Sequence, residues 1–113
     1  MGSNELEHVS ADEAIEMASG ECILLDVRET WEFDAGHAPM AQNLPMSQLE
    51  ERLGEIADDT TLLVICHSGQ RSQRVATALV DAGKDAINVI GGMLAWQQAG
   101  GDVVAEGSEP PRV

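Results

Sequence analysis

Apolar residues along this chain occur in two alternating kinds of segment: short unbroken runs, and longer stretches in which they recur on one helical face. Ser10 and Glu13 have the spacing of a capping box, and Ala14, Ile15, Met17 and Ala18 follow before Gly20, so the pattern predicts a first helix. Cys22 to Val27 (CILLDV) is nearly continuous in apolar residues, as a strand buried on both faces of a parallel sheet requires, and Asp26, Arg28 and Glu29 stand at its carboxyl end. Thr30 reads as the cap of a short helix over Trp31 to Ala35. Gly36, His37 and Pro39 break that helix before a short strand over Ala41 to Leu44. Ser47 with Glu50 predicts a second capping box, opening a helix that carries Leu49, Leu53 and Ile56. Thr61 to Cys66 (TLLVIC) has the strongest strand character and predicts a central strand. Val75, Ala76, Leu79 and Val80 share one face of a helix over Ser72 to Ala82 that Gly83 stops. Ala86 to Ile90 predicts a further strand, and Gly91 and Gly92 lead into a helix over Met93 to Ala99. This alternation of strand and helix predicts an α/β domain on a parallel sheet. Residues Glu106 to Val113 lack any apolar period and are expected to be a mobile tail. No internal repeat is present.

A length of 113 residues fits one domain with its own hydrophobic core. Charge narrows the partners: 6 Lys+Arg against 20 Asp+Glu give a net charge of −14, which repels nucleic acid and anionic lipid headgroups. No apolar run approaches membrane-spanning length. Met1 to Ser10 has neither the basic start nor the apolar centre of a signal peptide, so the cytoplasm is the expected compartment. Met1 to Ser3 read as an expression remnant. Two cysteines, Cys22 and Cys66, are too few for a disulfide scaffold, and His8, His37 and His67 are scattered without ligand spacing, so neither metal nor cofactor is expected. A monomer satisfies everything the sequence asks for.

Ligands of open parallel sheets bind beyond the carboxyl ends of the strands, where loops feed helix amino termini. Cys66 stands at such a place, followed by His67, Ser68, Gly69, Gln70, Arg71 and Ser72 in a loop that runs straight into a helix. Inward-turned N–H groups of this loop would form an anion nest at the positive end of the helix dipole, a setting that favours thiolate over thiol. Arg71 and Arg74 place two of the six basic residues beside this cysteine, and Arg28 adds a third cation on the same sheet edge. Cys66 is therefore the candidate nucleophile. The competing reading is a buried, inert cysteine with solvated arginines nearby.

Residues Cys66 to Ser72, CHSGQRS, resemble the CxxGxRS active-site loop of the rhodanese family of sulfurtransferases. The likeness extends to Leu25 to Glu29 with Trp31, Glu32 and Phe33, to Gly36, His37 and Pro39, and to Asn43, Leu44 and Pro45. It continues at the carboxyl end through Gly91, Gly92, Trp96 and Gly100, covering roughly residues 5 to 105. It implies a three-layer α/β domain with a central parallel sheet of about five strands flanked by helices. It also implies an activity: Cys66 takes a sulfane sulfur from a donor such as thiosulfate as a persulfide and passes it to cyanide, a small thiol or a protein acceptor. The N–H groups of His67, Ser68, Gly69, Gln70 and Arg71 would hold the sulfur's charge, and Arg71 and Arg28 would attract the anionic donor. Asp26 and Arg28 read first as a structural ion pair.

Four residues separate Cys66 from Arg71, a smaller ring than the Cys-x5-Arg cradle of cysteine phosphatases and arsenate reductases, so phosphate chemistry is disfavoured. Met40 departs from the family pattern, which commonly has glycine there, and either alters the turn after Pro39 or lines the site. Cys22 reads as a packing residue, His67 as solvent-facing and His37 as a loop-fixing donor. Trp31 and Trp96 read as the bulky pieces of the core. The alternative in another class is a noncatalytic binding or regulatory module that keeps the fold and not the chemistry.

Overall fold

The computed structural model describes residues 5–113; Met1 to Ser3 lie outside that range. Five strands form one parallel sheet in the order β1-β5-β4-β2-β3. They are β1 (Glu7–Val9), β2 (Ile23–Asp26), β3 (Gln42–Asn43), β4 (Leu62–Ile65) and β5 (Ala86–Val89). The helices are α1 (Ala11–Ala18), α2 (Thr30–Ala35), α3 (Leu49–Arg52), α4 (Gln70–Asp81) and α5 (Gly92–Gln98). Every residue of β4 and β5 is buried, which is why these segments read as unbroken apolar runs rather than alternating ones.

The pleat sends alternate side chains to opposite faces, and each face is covered. Leu25, Val27, Leu62, Val64 and Cys66 pack with Val75, Ala76 and Leu79 of α4, with Leu49 and Leu53 at their edge. Leu24, Leu63, Ile65, Ile87 and Val89 pack on the other face with Ala14 and Ala18 of α1 and Met93 and Trp96 of α5. The result is the three-layer arrangement that the resemblance implies, on the parallel sheet that the alternation of elements predicts.

Topology then selects the place for chemistry. From β2 the chain moves outward to β3, and from β4 it moves the opposite way to β5, so the strand order reverses at the β2/β4 pair. Loops leaving these two strands diverge and open a crevice beyond their carboxyl ends. Arg28 and Cys66 lie on those two loops, following the paired residues Asp26 and Ile65.

Local differences from the sequence reading have identifiable causes. The three-residue edge strand β1 is too short to show a period, and its pairing with β5 is what defines it. Ser10 and Glu13 do form the first capping box. At α2 the cap is Glu29 rather than Thr30, with the Glu29 N–H donating to Glu32 Oε1 at 3.0 Å. The predicted box at Ser47 and Glu50 does not form. Ser47 sits inside a 3-10 turn (Met46–Gln48), and its hydroxyl donates to Glu29 Oε1 at 2.9 Å instead. Trp96 is a core residue, but Trp31 is 74% exposed, because no residue of α2 is buried and its side chains border the crevice. Finally, Glu106 and Arg112 of the carboxyl-terminal segment are tied to the end of α2. Backbone hydrogen bonds hold them, from Glu106 N–H to Asp34 O at 2.9 Å and from Arg112 N–H to Ala35 O at 2.8 Å, which no apolar pattern would reveal.

Candidate active site

Cys66 directly follows the central strand β4, its side chain turned into the α4 face and 1% exposed. Its sulfur is held from two sides. The Gly69 N–H donates to Sγ at 3.1 Å, and the Cys66 thiol donates to Ser72 Oγ at 3.3 Å. Of the loop amides expected to converge on the sulfur, that of Gly69 makes the contact. Gly69 is the N-cap of α4 with φ 111°, a left-handed conformation that turns its N–H inward and that a residue with a Cβ adopts at a cost.

The contact with Ser72 opens a longer chain. Buried Ser72 donates its hydroxyl to Asn88 Oδ1 at 2.6 Å, and Asn88 Nδ2 lies 3.1 Å from Nδ1 of exposed His8. The strand register places His8 directly beside Asn88. All four polar groups are thereby satisfied across the sheet. An amide does not readily carry a proton onward, so this chain orients the Ser72 hydroxyl rather than conducting protons. Neither Asn88 nor His8 was singled out as a site residue from sequence. The signal that finds them is register, which needs the strand pairing.

Beneath the loop lies a second close approach. The Met93 N–H donates to Cys66 O at 2.7 Å and the Leu94 N–H to His67 O at 3.2 Å, so the amino-terminal turn of α5 carries the active loop. Gly92, at φ 58°, has no room for a side chain: a Cβ there would fall 2.5 Å from His67 O and closer still to Cys66 O. Gly92→Ala is expected to cost roughly 2–4 kcal/mol through left-handed strain and overpacking, and to slow any Cys66 chemistry by displacing the loop. Thermal unfolding and thiol alkylation rates check it. Unchanged values of both would show that the loop does not depend on this contact.

A cavity of about 420 Å³ opens beside the loop, lined by Arg28, Trp31, Glu32, Ala35, His67, Arg71, Arg112 and Val113. The predicted cations are brought together here, though not as free charges. Arg71 makes a two-pronged contact with Glu32, Nη1 to Oε1 at 2.7 Å and Nη2 to Oε2 at 2.9 Å. The Arg71 hydrogen bonds, outweighing the opposing effect of burial, hold Glu32 below the usual carboxylate range, and the same bonds raise Arg71. Arg28 is 1% exposed and bonded to both Asp26 oxygens and to Gly36 O. His67 lines the cavity, whereas Ser68 and Gln70 are exposed, Gln70 on a shallow depression with Gln73, Arg74 and Thr77.

Other candidates resolve simply. His37 is buried, stacks on Phe33 at 3.8 Å, and its Nδ1 lies 2.6 Å from Phe33 O, which fixes the turn after α2. Cys22 adjoins the amino end of β2, roughly 15 Å from Cys66 at the usual rise per strand residue, beyond disulfide reach. Met40 is 46% exposed and does not line the cavity. Among the described residues no cluster of three or more His, Cys, Asp or Glu has metal-site geometry, and no helix is long and apolar enough to cross a membrane.

Comparison with known proteins agrees with this geometry. The sequence model of the family described as "Rhodanese-like domain" matches residues 10–99. The Bacillus subtilis protein YtwF, named "Putative sulfurtransferase", is 36% identical over 97 residues, covering 86% of this chain and 93% of that protein. The Bacillus subtilis protein YrkF, named "Putative sulfur carrier protein", is 38% identical over 74 residues; the match covers 65% of this chain and 40% of YrkF. A Mycobacterium tuberculosis protein named as an HTH-type transcriptional regulator, Rv0324, is 33% identical over 105 residues, covering 88% of this chain and 45% of that one. Among solved structures, a rhodanese-related protein from Thermoplasma volcanium superposes with a TM-score of 0.83 at 31% identity, covering 88% of this chain and 99% of that one.

Proposed function

The chain belongs to the rhodanese-like domain family, and from that premise we propose that it is a sulfurtransferase that carries sulfane sulfur on Cys66. The observation that carries this reading is the hold on Sγ: the Gly69 N–H is directed at it at 3.1 Å, in a loop with four residues between Cys66 and Arg71. An N–H aimed at sulfur lowers the energy of its anionic form before and after reaction. Ser72 supplies a second contact, and its hydroxyl can turn to donate once the thiol proton has left.

With thiosulfate as donor, the Cys66 thiolate attacks the outer sulfur, a Cys66–sulfur bond forms, and the sulfur–sulfur bond of the donor breaks. Sulfite leaves with the bonding pair. In the second half-reaction cyanide or a thiolate attacks the terminal sulfur of the persulfide and restores the Cys66 thiolate, releasing thiocyanate or a new persulfide. Two half-reactions through a covalent intermediate require ping-pong kinetics. Both cysteines are free, as a sulfur carrier in a reducing cytoplasm needs. Relatives named for sulfur transfer and sulfur carriage support the same reading.

The test is intact-protein mass measurement before and after thiosulfate, with peptide mapping and then cyanide. A gain of one sulfur on Cys66, released as thiocyanate, is expected. A free thiol that takes no sulfur from thiosulfate or from any other sulfane donor would overturn the proposal. That outcome favours the second reading, a noncatalytic module, for which the match to part of a transcriptional regulator is the specific observation.

A further inference from the structure

The polar chain behind Cys66 has a direction. In the thiol form every donor points outward: the Cys66 thiol to Ser72 Oγ at 3.3 Å, the Ser72 hydroxyl to Asn88 Oδ1 at 2.6 Å, and Asn88 Nδ2 to His8 Nδ1 at 3.1 Å. Cys66, Ser72 and Asn88 are buried, so water does not replace a bond that is lost. A hydroxyl donates once, an amide donates only through its nitrogen, and a neutral imidazole carries its proton on one ring nitrogen. The last contact therefore places the proton of neutral His8 on Nε2.

Ionisation of Cys66 removes the first donor. The Ser72 hydroxyl is then drawn to the sulfur, since a hydrogen bond to an anion is roughly twice as strong as one between neutral groups. Once it turns, Ser72 Oγ and Asn88 Oδ1 are two acceptors facing each other at 2.6 Å. A half rotation of the Asn88 amide relieves this: Nδ2 donates to Ser72 Oγ, and Oδ1 faces His8. Among the described residues the Asn88 side chain makes no other hydrogen bond, and the two ends of its amide are nearly equal in size, so β5 need not move.

We propose that Asn88 is a positioning residue for the chemistry at Cys66: its amide turns over when the thiol ionises, which lets Ser72 donate to the sulfur, and exposed His8 follows by moving its proton from Nε2 to Nδ1. The thiol proton leaves to water, and His8 exchanges its own protons with water, so one proton is released in all and none travels along the chain. The sulfurtransferase reading supplies the reason for the thiolate to form in turnover, while the reversal itself depends only on ionisation. Neighbouring charges do not impose it. His8 has no carboxylate within 4.0 Å among the described residues, and β5 carries no titratable residue. Glu7 and the acidic residues of α1 lie on the opposite face of the sheet. On α4, which packs against β5, Arg71 is paired with Glu32, and Arg74 and Asp81 are exposed. Around Cys66, Arg28 is paired with Asp26, and His67 lines the cavity.

Nitrogen-15 resonances of the His8 ring distinguish the two tautomers and need no variant. The pH is raised from about 7.5 to about 10, a range that starts above the ordinary imidazole value and spans the ordinary thiol value. The parent is expected to pass from the Nε2–H to the Nδ1–H form in step with the Cys66 Cβ resonance, which reports ionisation, whereas Cys66→Ala keeps the Nε2–H form throughout. Asn88→Asp holds an oxygen toward Ser72 at every pH and is expected to slow alkylation of Cys66, located by peptide mapping, about tenfold. Asn88→Leu loses the bond but frees the Ser72 hydroxyl to turn, and is expected to slow it less than about threefold. A merely structural role predicts the reverse order, because aspartate keeps the bond and leucine does not. In a Ser72→Ala background Asn88→Asp is expected to lose most of its effect, which separates the locked hydroxyl from the added charge. Unchanged His8 nitrogens and Asn88 amide protons across the ionisation overturn the proposal, as does an Asn88→Asp effect that survives Ser72→Ala in full. None of these readouts uses a sulfur donor, so a protein that shows the reversal yet takes up no sulfur defeats the sulfurtransferase reading and leaves the role of Asn88 standing.

Discussion

A Cys66→Ser variant is expected to lose sulfur transfer by at least about 10³-fold while keeping its fold. Serine is nearly isosteric with cysteine, and the buried position already places a hydroxyl, that of Ser72, within 3.3 Å of the replaced atom. The polar network through Asn88 can therefore accept it. What is lost is nucleophilicity: a hydroxyl at neutral pH is essentially un-ionised and forms no stable bond to the transferred sulfur. Steady-state transfer to cyanide measures the rate, and circular dichroism or thermal unfolding shows whether the domain survives. Activity at the parent level in a folded variant would remove Cys66 from the mechanism and with it the persulfide.

Arg28→Met is expected to be the most damaging single change to stability, costing roughly 3–5 kcal/mol. Asp26 is fully buried, and its carboxylate is met by Arg28 Nε at 3.0 and 3.2 Å, by Nη2 at 2.8 Å and by the Arg28 N–H at 3.0 Å. Methionine preserves much of the stem volume and removes the charge, leaving an uncompensated carboxylate and an unpaired Gly36 carbonyl. On a domain whose total stability is about 5–15 kcal/mol, this is a large share. The double variant Asp26→Leu/Arg28→Met is expected to recover at least about half of the loss, because a buried pair and its apolar replacement are often close in energy. Urea denaturation of both variants gives the comparison. A single variant within about 1 kcal/mol of the parent would show that the pair is dispensable.

These two residues also mark how far the sequence could be read. Cys66 was legible because strand, loop and helix follow one another without interruption, so its place at the carboxyl end of a central strand depends on local pattern alone. The parallel sheet and its buried strands were legible for the same reason. Arg28 was legible as a cation on the right edge and as the partner of Asp26, but its depth of burial was not, since a charged residue near a strand end is ordinarily exposed. Trp31 was misread because composition favours burying a rare aromatic, whereas a six-residue helix bordering a crevice gives it nothing to be buried against. Asn88 and His8 depend on pairing between residues 80 positions apart, and Arg112 on backbone hydrogen bonds to a turn. Neither leaves a periodic trace in the chain.

The pairing of β1 with β5 also bears on how the domain assembles. All strands are parallel, so each contact between neighbours must wait for a crossover, and the first strand finds its partner only after residues 87 to 89 have been made. Closing such distant segments is entropically slow, and the edge of the sheet is completed late in folding. Asn88 arrives with that last strand. A chain still emerging from the ribosome therefore carries Cys66 before the amide that aligns the neighbouring hydroxyl, and its thiol acquires its full set of partners only when the two ends of the domain have met.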